Sequence, residues 1–199
     1  MRVTIYSVII LLCIWVNSFA CSTPDSTSLM PEFRNISWNT SIEKVRKEES
    51  SYYLQKFTGF GVETLSFKDE ISGIDARVDY TFKNNKLTEG AYIIDHDNSF
   101  KEDLPQLLEY LTKQFGNPEF KSGLPHTSDT IWVKENDYGS YRGPSFYWVF
   151  ADGFIAVLSQ KFEDNITLSV LYAHGSSIGR YAENNGVELS QFKIIPLDR

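Results

Sequence analysis

The feature that most constrains the fold is an alternation of apolar and polar residues over residues 74–82. The apolar positions are Ile74, Ala76, Val78, Tyr80 and Phe82. Successive side chains of a β-strand point to opposite faces, so the alternation predicts a strand with one buried and one solvated face. Such strands are typical of antiparallel sheets, in which one face packs on the core and the other meets water. Asn84 and Asn85 follow, and both tolerate the left-handed backbone of a tight hairpin turn.

The remaining segments fall into two groups of strands, and each group follows a helix. A short helix is predicted over residues 41–49, with Thr40 and Glu43 as a capping box. A longer amphipathic helix is predicted over Leu104–Phe115, ended by Gly116. The strand segments are 52–60, 63–68, 74–82 and 87–94 in the first group, and 131–134, 146–151, 154–160 and 166–172 in the second. Clustered strands predict an α+β fold with antiparallel sheet, in the order helix, about four strands, helix, about four strands. The repeated order raises the hypothesis of a diverged internal duplication.

The first 20 residues have the pattern of a secretory signal peptide. Arg2 supplies the positive end, and residues 8–16 form an unbroken apolar run that is too short to span a membrane as a helix. Residues 18–20 (Ser-Phe-Ala) provide small residues at the positions required for cleavage. A buried N-terminal helix is the alternative, and it is disfavoured because no polar residues follow at helical spacing.

Cys21 would be the first residue after cleavage and the only remaining thiol, since Cys13 lies in the leader. A lone N-terminal cysteine in an exported chain resembles the lipid-attachment cysteine of bacterial lipoproteins. We therefore expect a palmitoylated Cys21, a flexible tether over residues 21–30, a single α+β domain over residues 31–199, and a location on the periplasmic or extracellular side of a cell-envelope membrane. The alternative is plain cleavage, which leaves a secreted protein with a free cysteine.

Composition and motifs exclude several classes of function. The formal net charge of −7 argues against a nucleic-acid partner, which requires a basic surface. No nucleotide-binding, metalloprotease or serine-hydrolase motif occurs, so we predict no cofactor and no catalytic residue. The densest set of metal-ligand residue types, Asp95-His96-Asp97-Asn98, is interpreted as a polar loop, and no metal site is predicted. The acidic pairs Glu48-Glu49 and Asp69-Glu70 are interpreted as solvated surface.

Three further motifs support a family resemblance. They are Phe33-Arg34-Asn35-Ile36-Ser37-Trp38, the Tyr80, Phe82 and Leu87 pattern, and the helix end Leu111-x-x-x-Phe115-Gly116-x-Pro118. Together they resemble a loose group of uncharacterised bacterial envelope lipoproteins. The architecture of that group is similar to outer-membrane assembly lipoproteins and β-lactamase-inhibitor-like modules. The resemblance implies a binding or assembly role and transfers no catalytic residue.

One segment, residues 138–148, has the composition of a recognition loop. Tyr138, Tyr141 and Arg142 lie among Gly and Ser residues, and Tyr and Arg are enriched at binding hot spots. We predict these three as partner-binding residues at a loop tip; the alternative is an ordinary connection between residues 134 and 146. The leading hypothesis is therefore a lipid-anchored, non-enzymatic binding or assembly module with a membrane contact and a protein partner. The rival hypotheses are a hydrolase with an unrecognised site and a secreted, unanchored inhibitor-like protein.

Overall fold

The computed structural model describes residues 28–96, 100–122, 133–134, 140–162 and 165–175. The described part has two helices and nine strands. They are α1 (Ile42–Glu48), β1 (Tyr52–Gly59), β2 (Val62–Ile71), β3 (Ile74–Lys83), β4 (Lys86–His96), α2 (Phe100–Phe115), β5 (Phe120–Ser122), β6 (Val133–Lys134), β7 (Ser140–Phe150), β8 (Gly153–Phe162) and β9 (Asn165–His174). The expected α+β fold with an antiparallel sheet is confirmed.

All nine strands belong to one sheet, in the order β1-β2-β3-β4-β9-β8-β7-β5, and β6 pairs with β7 beside that path. Every pairing is antiparallel. The strands before α2 meet the strands after it at the β4–β9 pair, where Gly90 lies opposite Tyr172. The sheet therefore runs without a break from the first group of strands into the second.

The main core lies on one face of this sheet, which we call the helix face. In β3 Ala76, Val78, Tyr80 and Phe82 of the predicted alternation are buried, Ile74 is partly buried, and the intervening residues are partly or fully exposed. Ile42 and Val45 of α1 and Leu107 and Leu111 of α2 belong to the same core cluster. Both helices thus cover the dry side of the sheet, and burial of this apolar surface is the main force that holds the elements together.

A second, smaller apolar cluster lies on the opposite face, which we call the open face. It consists of Tyr147, Phe154, Ala156 and Ala173, with Leu158 and Leu171 packed at its edge. Tyr147 lies opposite Ala156 in the register of β7 and β8, and Phe154 lies opposite Ala173 in that of β8 and β9. The central strands of the second half are therefore buried on both faces, which explains why their sequences read as continuous apolar runs.

Three local predictions were wrong in position. Ser41 rather than Thr40 caps α1, since its hydroxyl accepts from the Lys44 amide. Helix α2 begins at Phe100, before the predicted start. The β7–β8 turn consists of Ala151 and Asp152, and Gly153 already belongs to β8. Glycine is required at position 153 because a Cβ there would meet the Ala173 carbonyl and the Met30 sulfur, both at 2.5 Å.

Residues 28–40 form an extended segment across one end of the helix face, which we call the strap. At its start the Ala151 amide donates to the Ser28 carbonyl at 2.9 Å, and at its end the Leu87 amide donates to the Thr40 carbonyl at 2.9 Å. The strap therefore connects the β7–β8 turn with the start of β4, and so joins the two halves of the sheet.

The centre of the strap is anchored by Phe33, which is almost fully buried. Its ring lies 5.0–5.4 Å from the rings of Tyr80, Tyr92 and Tyr172. A Cβ at Gly90 would overlap the Phe33 ring, so the glycine makes room for the strap. A bulge at Thr88 accompanies this contact and turns Glu89 to the open face, opposite Thr81.

Candidate functional site

The candidate site is built around Arg34, which occupies a tight turn in the strap. The Ile36 amide donates to the Phe33 carbonyl at 3.0 Å, and the two residues between them are both left-handed, with φ of 54° for Arg34 and 61° for Asn35. This backbone conformation is energetically unfavourable for a residue with a long side chain, so contacts elsewhere in the structure must stabilise the turn. The turn directs the Arg34 guanidinium toward the end of α1 and the β2–β3 strands.

The guanidinium joins two carboxylates that are distant in sequence. Arg34 Nε donates to Glu49 Oε2 at 3.0 Å, and Arg34 Nη2 forms an ion pair with Asp69. The same nitrogen donates to Ser51 Oγ at 3.0 Å, and the Ser51 hydroxyl donates to Asp69. Arg34, Glu49, Ser51 and Asp69 thus form one connected network, which we call the Arg34 cluster.

Two tyrosines complete the cluster from the sheet below it. The Tyr80 hydroxyl donates to Glu49, and Arg34 Nη1 donates to the Tyr92 hydroxyl at 3.4 Å. Burial raises the pKa of both tyrosines, and the contact with Glu49 raises that of Tyr80 further. Both phenols are therefore neutral and act as hydrogen-bonding groups.

The electrostatics of the cluster favour ionised carboxylates. Burial alone would raise the pKa of Glu49, whose side chain is 4% exposed, but hydrogen bonds from Tyr80 and Arg34 lower it to about 2. The hydrogen bond from Ser51 also lowers the pKa of Asp69. Burial lowers the pKa of Arg34, yet the hydrogen bonds and charge interactions with Glu49 and Tyr92 together outweigh burial and raise it. One positive and two negative groups leave the cluster with a net charge of −1.

An open cleft of about 730 Å³ lies beside the cluster. It is lined by Arg34, Asn35, Ile36 and Ser37 of the strap, Lys44, Glu48, Glu49 and Ser50 of and after α1, and Tyr92 of β4. The charged groups on its wall come in both signs, and Lys44 and Glu48 are largely exposed at its rim. The cleft therefore suits a polar group of a partner, which would replace its bound water with hydrogen bonds to the fixed donors and acceptors of the cleft.

Of the predicted partner-binding residues, two lie in the described part of the chain. Tyr141 and Arg142 belong to β7, where they pair with Lys161 and Gln160 of β8 and with β6 on the other side. The expected loop tip at these residues is therefore wrong, because the segment from Ser140 onward extends β7 between two neighbouring strands. Consecutive strand residues face opposite sides of a sheet, so Tyr141 and Arg142 do not form one patch. Tyr138, like Cys21, lies outside the described residues.

The interpretation of Asp95 and His96 as part of a polar loop is wrong, because both belong to β4; His174 of β9 lies at the opposite end of the sheet. Asp95 accepts from the Thr167 hydroxyl at 3.0 Å, whereas His174 stacks on Trp38 at 5.2 Å and lies 3.4 Å from Asp152. Residues 97 and 98 lie outside the described part. Within the described ranges, no three His, Cys, Asp or Glu side chains are grouped as a metal ion would require.

The Arg34 cluster was missed because its carboxylates were assigned to the solvated surface. That assignment fits Glu48 and Glu70, which are exposed, but is wrong for Glu49, which is nearly buried. The available signal was weak: a charged residue follows a buried aromatic in Phe33-Arg34-Asn35, and Tyr80 lies at the centre of a buried strand face. A buried tyrosine requires a partner for its hydroxyl, and a nearby charge can supply one.

Comparison with protein-family models and with curated proteins gives no match. Neither α1 nor α2 has the length and hydrophobicity of a membrane-spanning helix. The function is therefore argued from the site itself.

Proposed function

We propose that this chain is an exported envelope protein, lipid-anchored through Cys21, that binds a protein partner at the cleft beside the Arg34 cluster. The observation that carries the proposal is the cluster itself. A buried ion-pair network adds little to stability compared with apolar packing of the same volume, whereas it fixes the positions of its members. In this protein Arg34, Glu49 and Tyr92 of the network line an open polar cleft rather than a closed core.

Two features of the cleft support recognition of a polar surface. The Arg34 guanidinium and the Glu49 carboxylate are held by several partners each, so partner binding would cost little ordering of either group. Lys44 and Glu48 add charges at the rim that steer and orient a partner. The role proposed is binding, and no reacting group is assigned.

The test is capture of a partner by the full chain, expressed in its own envelope and extracted with detergent. Lys44→Glu reverses a charge on the cleft rim, and its side chain is more than half exposed, so the fold should be retained. We expect this variant to bind the partner at least about tenfold more weakly, which corresponds to about 1.4 kcal/mol.

Lys113→Glu is the matched control. Lys113 forms an exposed i,i+4 pair with Glu109 on α2, as Lys44 does with Glu48 on α1, and it does not line the cleft. The control should bind like the parent protein. Equal binding by both variants would show that the partner binds at another surface. An unmodified Cys21, detected by mass spectrometry, would refute the lipid anchor.

Tyr141 and Arg142 remain candidates for a second contact with the partner. Both side chains are half-buried in β7, near the end of the sheet that lies away from the strap. Their binding role is a separate proposal, and substituting each residue alone by Ala tests whether either face of β7 contributes to capture.

We infer in addition that the two halves of the chain arose by duplication. The mirrored strand order β1-β2-β3-β4 and β9-β8-β7-β5 supports this inference, since the last strands of the two halves meet at the centre of the sheet. Each half also starts with a helix that packs on the same face. A duplicated unit would extend its sheet by pairing its last strand with that of the second copy.

A further inference from the structure

Three turns that are far apart in sequence lie at one end of the sheet. Successive cross-strand pairs place six residues side by side in one row across the sheet: Phe57, Thr64, Thr81, Glu89, Ala173 and Phe154. Just beyond this row are the β1–β2 turn at Phe60–Gly61, the β3–β4 turn at Asn84–Asn85 and the β7–β8 turn at Ala151–Asp152. The strap also starts here, since Ser28 is bonded to Ala151. We call this end of the sheet the tether end.

Phe60 is an unusual residue for a turn of this kind. Its φ is 52° and that of Gly61 is 78°, so both turn residues are left-handed, as hairpin turns of this type require. The other two left-handed turns of the first half use Ser72-Gly73 and Asn84-Asn85, which are polar or glycine. A phenylalanine in this conformation is locally strained, and this one is 100% exposed.

The tether end carries further exposed apolar and basic groups. Phe60 is the most exposed large apolar side chain among the described residues, and Leu29, at 75%, lies at the same end; Tyr52, at 74%, lies at the other end of β1. Lys83 and Lys86 flank the turn between them and are exposed. Glu43 and Asp152 supply negative charge at the same end, so the tether end has no uniform positive charge, and the fully exposed Phe60 ring is its most prominent feature.

The chain that precedes the strap also leads to this end. Six residues separate Cys21 from Ser28, and the seven steps between the two Cα atoms span at most about 25 Å when fully extended. The β1–β2 turn lies about five strand spacings from the β7–β8 turn, which is about 24 Å. A lipid attached at Cys21 would therefore hold the tether end within reach of a bilayer.

We propose that the tether end contacts the bilayer through Phe60, with Leu29 on the anchor side and the Lys83–Lys86 turn facing the headgroups between them. This rests on the lipid anchor of the proposed function. The exposed ring of an aromatic residue at a turn is in contact with water. The ring loses this contact when it enters the interfacial region of a membrane, and the burial of its apolar surface favours binding. The contact fixes the orientation of the sheet, so that the opposite end points away from the bilayer.

A second copy of the chain is the less suitable occupant. The neighbouring edge strand β1 contains a bulge at Leu54 and a lysine at position 56, and both features oppose edge-to-edge pairing. Protein contact at Phe60 is therefore treated as an outcome that the experiment detects.

The test places an environment-sensitive fluorophore at position 60 of the lipidated full chain. Cys21 is blocked by its lipid and Cys13 leaves with the leader, so Phe60→Cys introduces the only free thiol. The labelled protein is reconstituted into vesicles of three parts phosphatidylcholine to one part phosphatidylglycerol. We expect a blue-shifted, several-fold brighter emission at position 60, quenched by lipids brominated on their acyl chains.

Phe162→Cys is the matched control. Phe162 is also an exposed phenylalanine, at 52%, but it lies at the opposite end of the sheet, one strand length or about 33 Å away. Its label should emit as in water and resist quenching by brominated lipid. A water-like signal at position 60, equal quenching at both positions, or a brightening that rises with the protein-to-lipid ratio would overturn the proposal, the last because it indicates a second copy.

The two proposals fail in distinguishable ways. Thiol labelling of the parent protein would reveal a free Cys21 and so refute the anchor of the proposed function. In that case Phe60→Cys combined with Cys21→Ser, mixed with the same vesicles, still tests bilayer contact at the tether end. A lipidated protein with a solvated position 60 refutes only the contact.

Discussion

At the scale of single residues, the protein depends on charges that compensate one another away from water. Arg34 balances Glu49 and Asp69, and Tyr80 supplies the hydrogen bond that holds Glu49 in its ionised form. Removing one member of such a network leaves the others buried without a partner, which costs more than the network gained by forming. The cluster is therefore expected to respond to pH as a unit.

We predict that acid weakens the fold through Glu49. Its pKa is about 2 in the folded protein against 4.5 for the free side chain, so the unfolded chain binds more protons between these values. The resulting stability is present above about pH 4.5 and is lost as the pH falls toward 2, with an upper bound of about 3 kcal/mol before solvent screening. Glu49→Gln should flatten the dependence of the free energy of unfolding on pH in this window.

The measurement is urea unfolding at a series of pH values. Glu48→Gln is the control, because Glu48 is the exposed neighbour of Glu49 and forms the rim pair with Lys44. This control should keep the profile of the parent protein. A Glu49→Gln profile that coincides with the parent profile would show that the cluster is not ionised as described.

At the scale of elements, the apolar side of the amphipathic helix α2 packs on the sheet. Leu107 and Leu111 are fully buried against the helix face, whereas Leu104 and Leu108 lie partly exposed at its edge. Gly116 ends the helix in the left-handed conformation, with φ of 77°, and its carbonyl accepts from the indole of Trp148 at 2.8 Å. The end of the helix is thus tied to β7.

We predict that Leu111→Ala destabilises the protein by about 2–5 kcal/mol, because it removes buried methyl groups and leaves a cavity. Leu108→Ala should cost less, since that side chain is only partly buried. Gln114→Ala on the exposed side of the same helix is the control and should change stability by less than about 0.5 kcal/mol. Thermal unfolding of the three variants ranks them, and an equal loss at positions 108 and 111 would contradict the packing of α2.

At the scale of the whole molecule, the strap determines how the two halves of the sheet are held together. It contacts the β7–β8 turn through Ser28 and Met30, packs Phe33 on Gly90, and pairs with Leu87 at the start of β4. Trp38 adds a hydrogen bond to the Pro31 carbonyl and a stacked contact with His174. Contacts from one short segment therefore reach strands on both sides of the β4–β9 pair.

We predict that Phe33→Ala costs about 3–5 kcal/mol, since the ring fills the space between three tyrosines above Gly90. Phe60→Ala removes the same ring from a fully exposed position and should shift stability by less than about 0.5 kcal/mol. The check is denaturant unfolding of both variants in solution. Similar losses for the two would show that the strap does not hold the halves together.

Local patterns in the sequence are sufficient to predict several elements of the fold. The period-two alternation of β3, the Asn84–Asn85 turn, the amphipathic face of α2 and its Gly116 cap depend on neighbouring residues, and the structure has all of them. The duplication and the roles of Cys21, Tyr138, Tyr141 and Arg142 stay predictions. The start of β7 could not be predicted, because its Tyr, Arg and Gly residues are typical of a loop. The segment is a strand because β6 and β8 pair with it on both sides.

The Arg34 cluster, in contrast, depends on contacts between segments that are far apart in the sequence. Arg34 lies 15 residues before Glu49 and 35 before Asp69, and no local periodicity relates residues at such separations. The strap brings Arg34 to both carboxylates because Phe33 packs above Gly90, a contact that exists only once β3, β4 and β9 have assembled. A carboxylate at a helix end is solvated in an isolated segment. It becomes part of a buried network when the sheet and the strap remove its water and supply its partners.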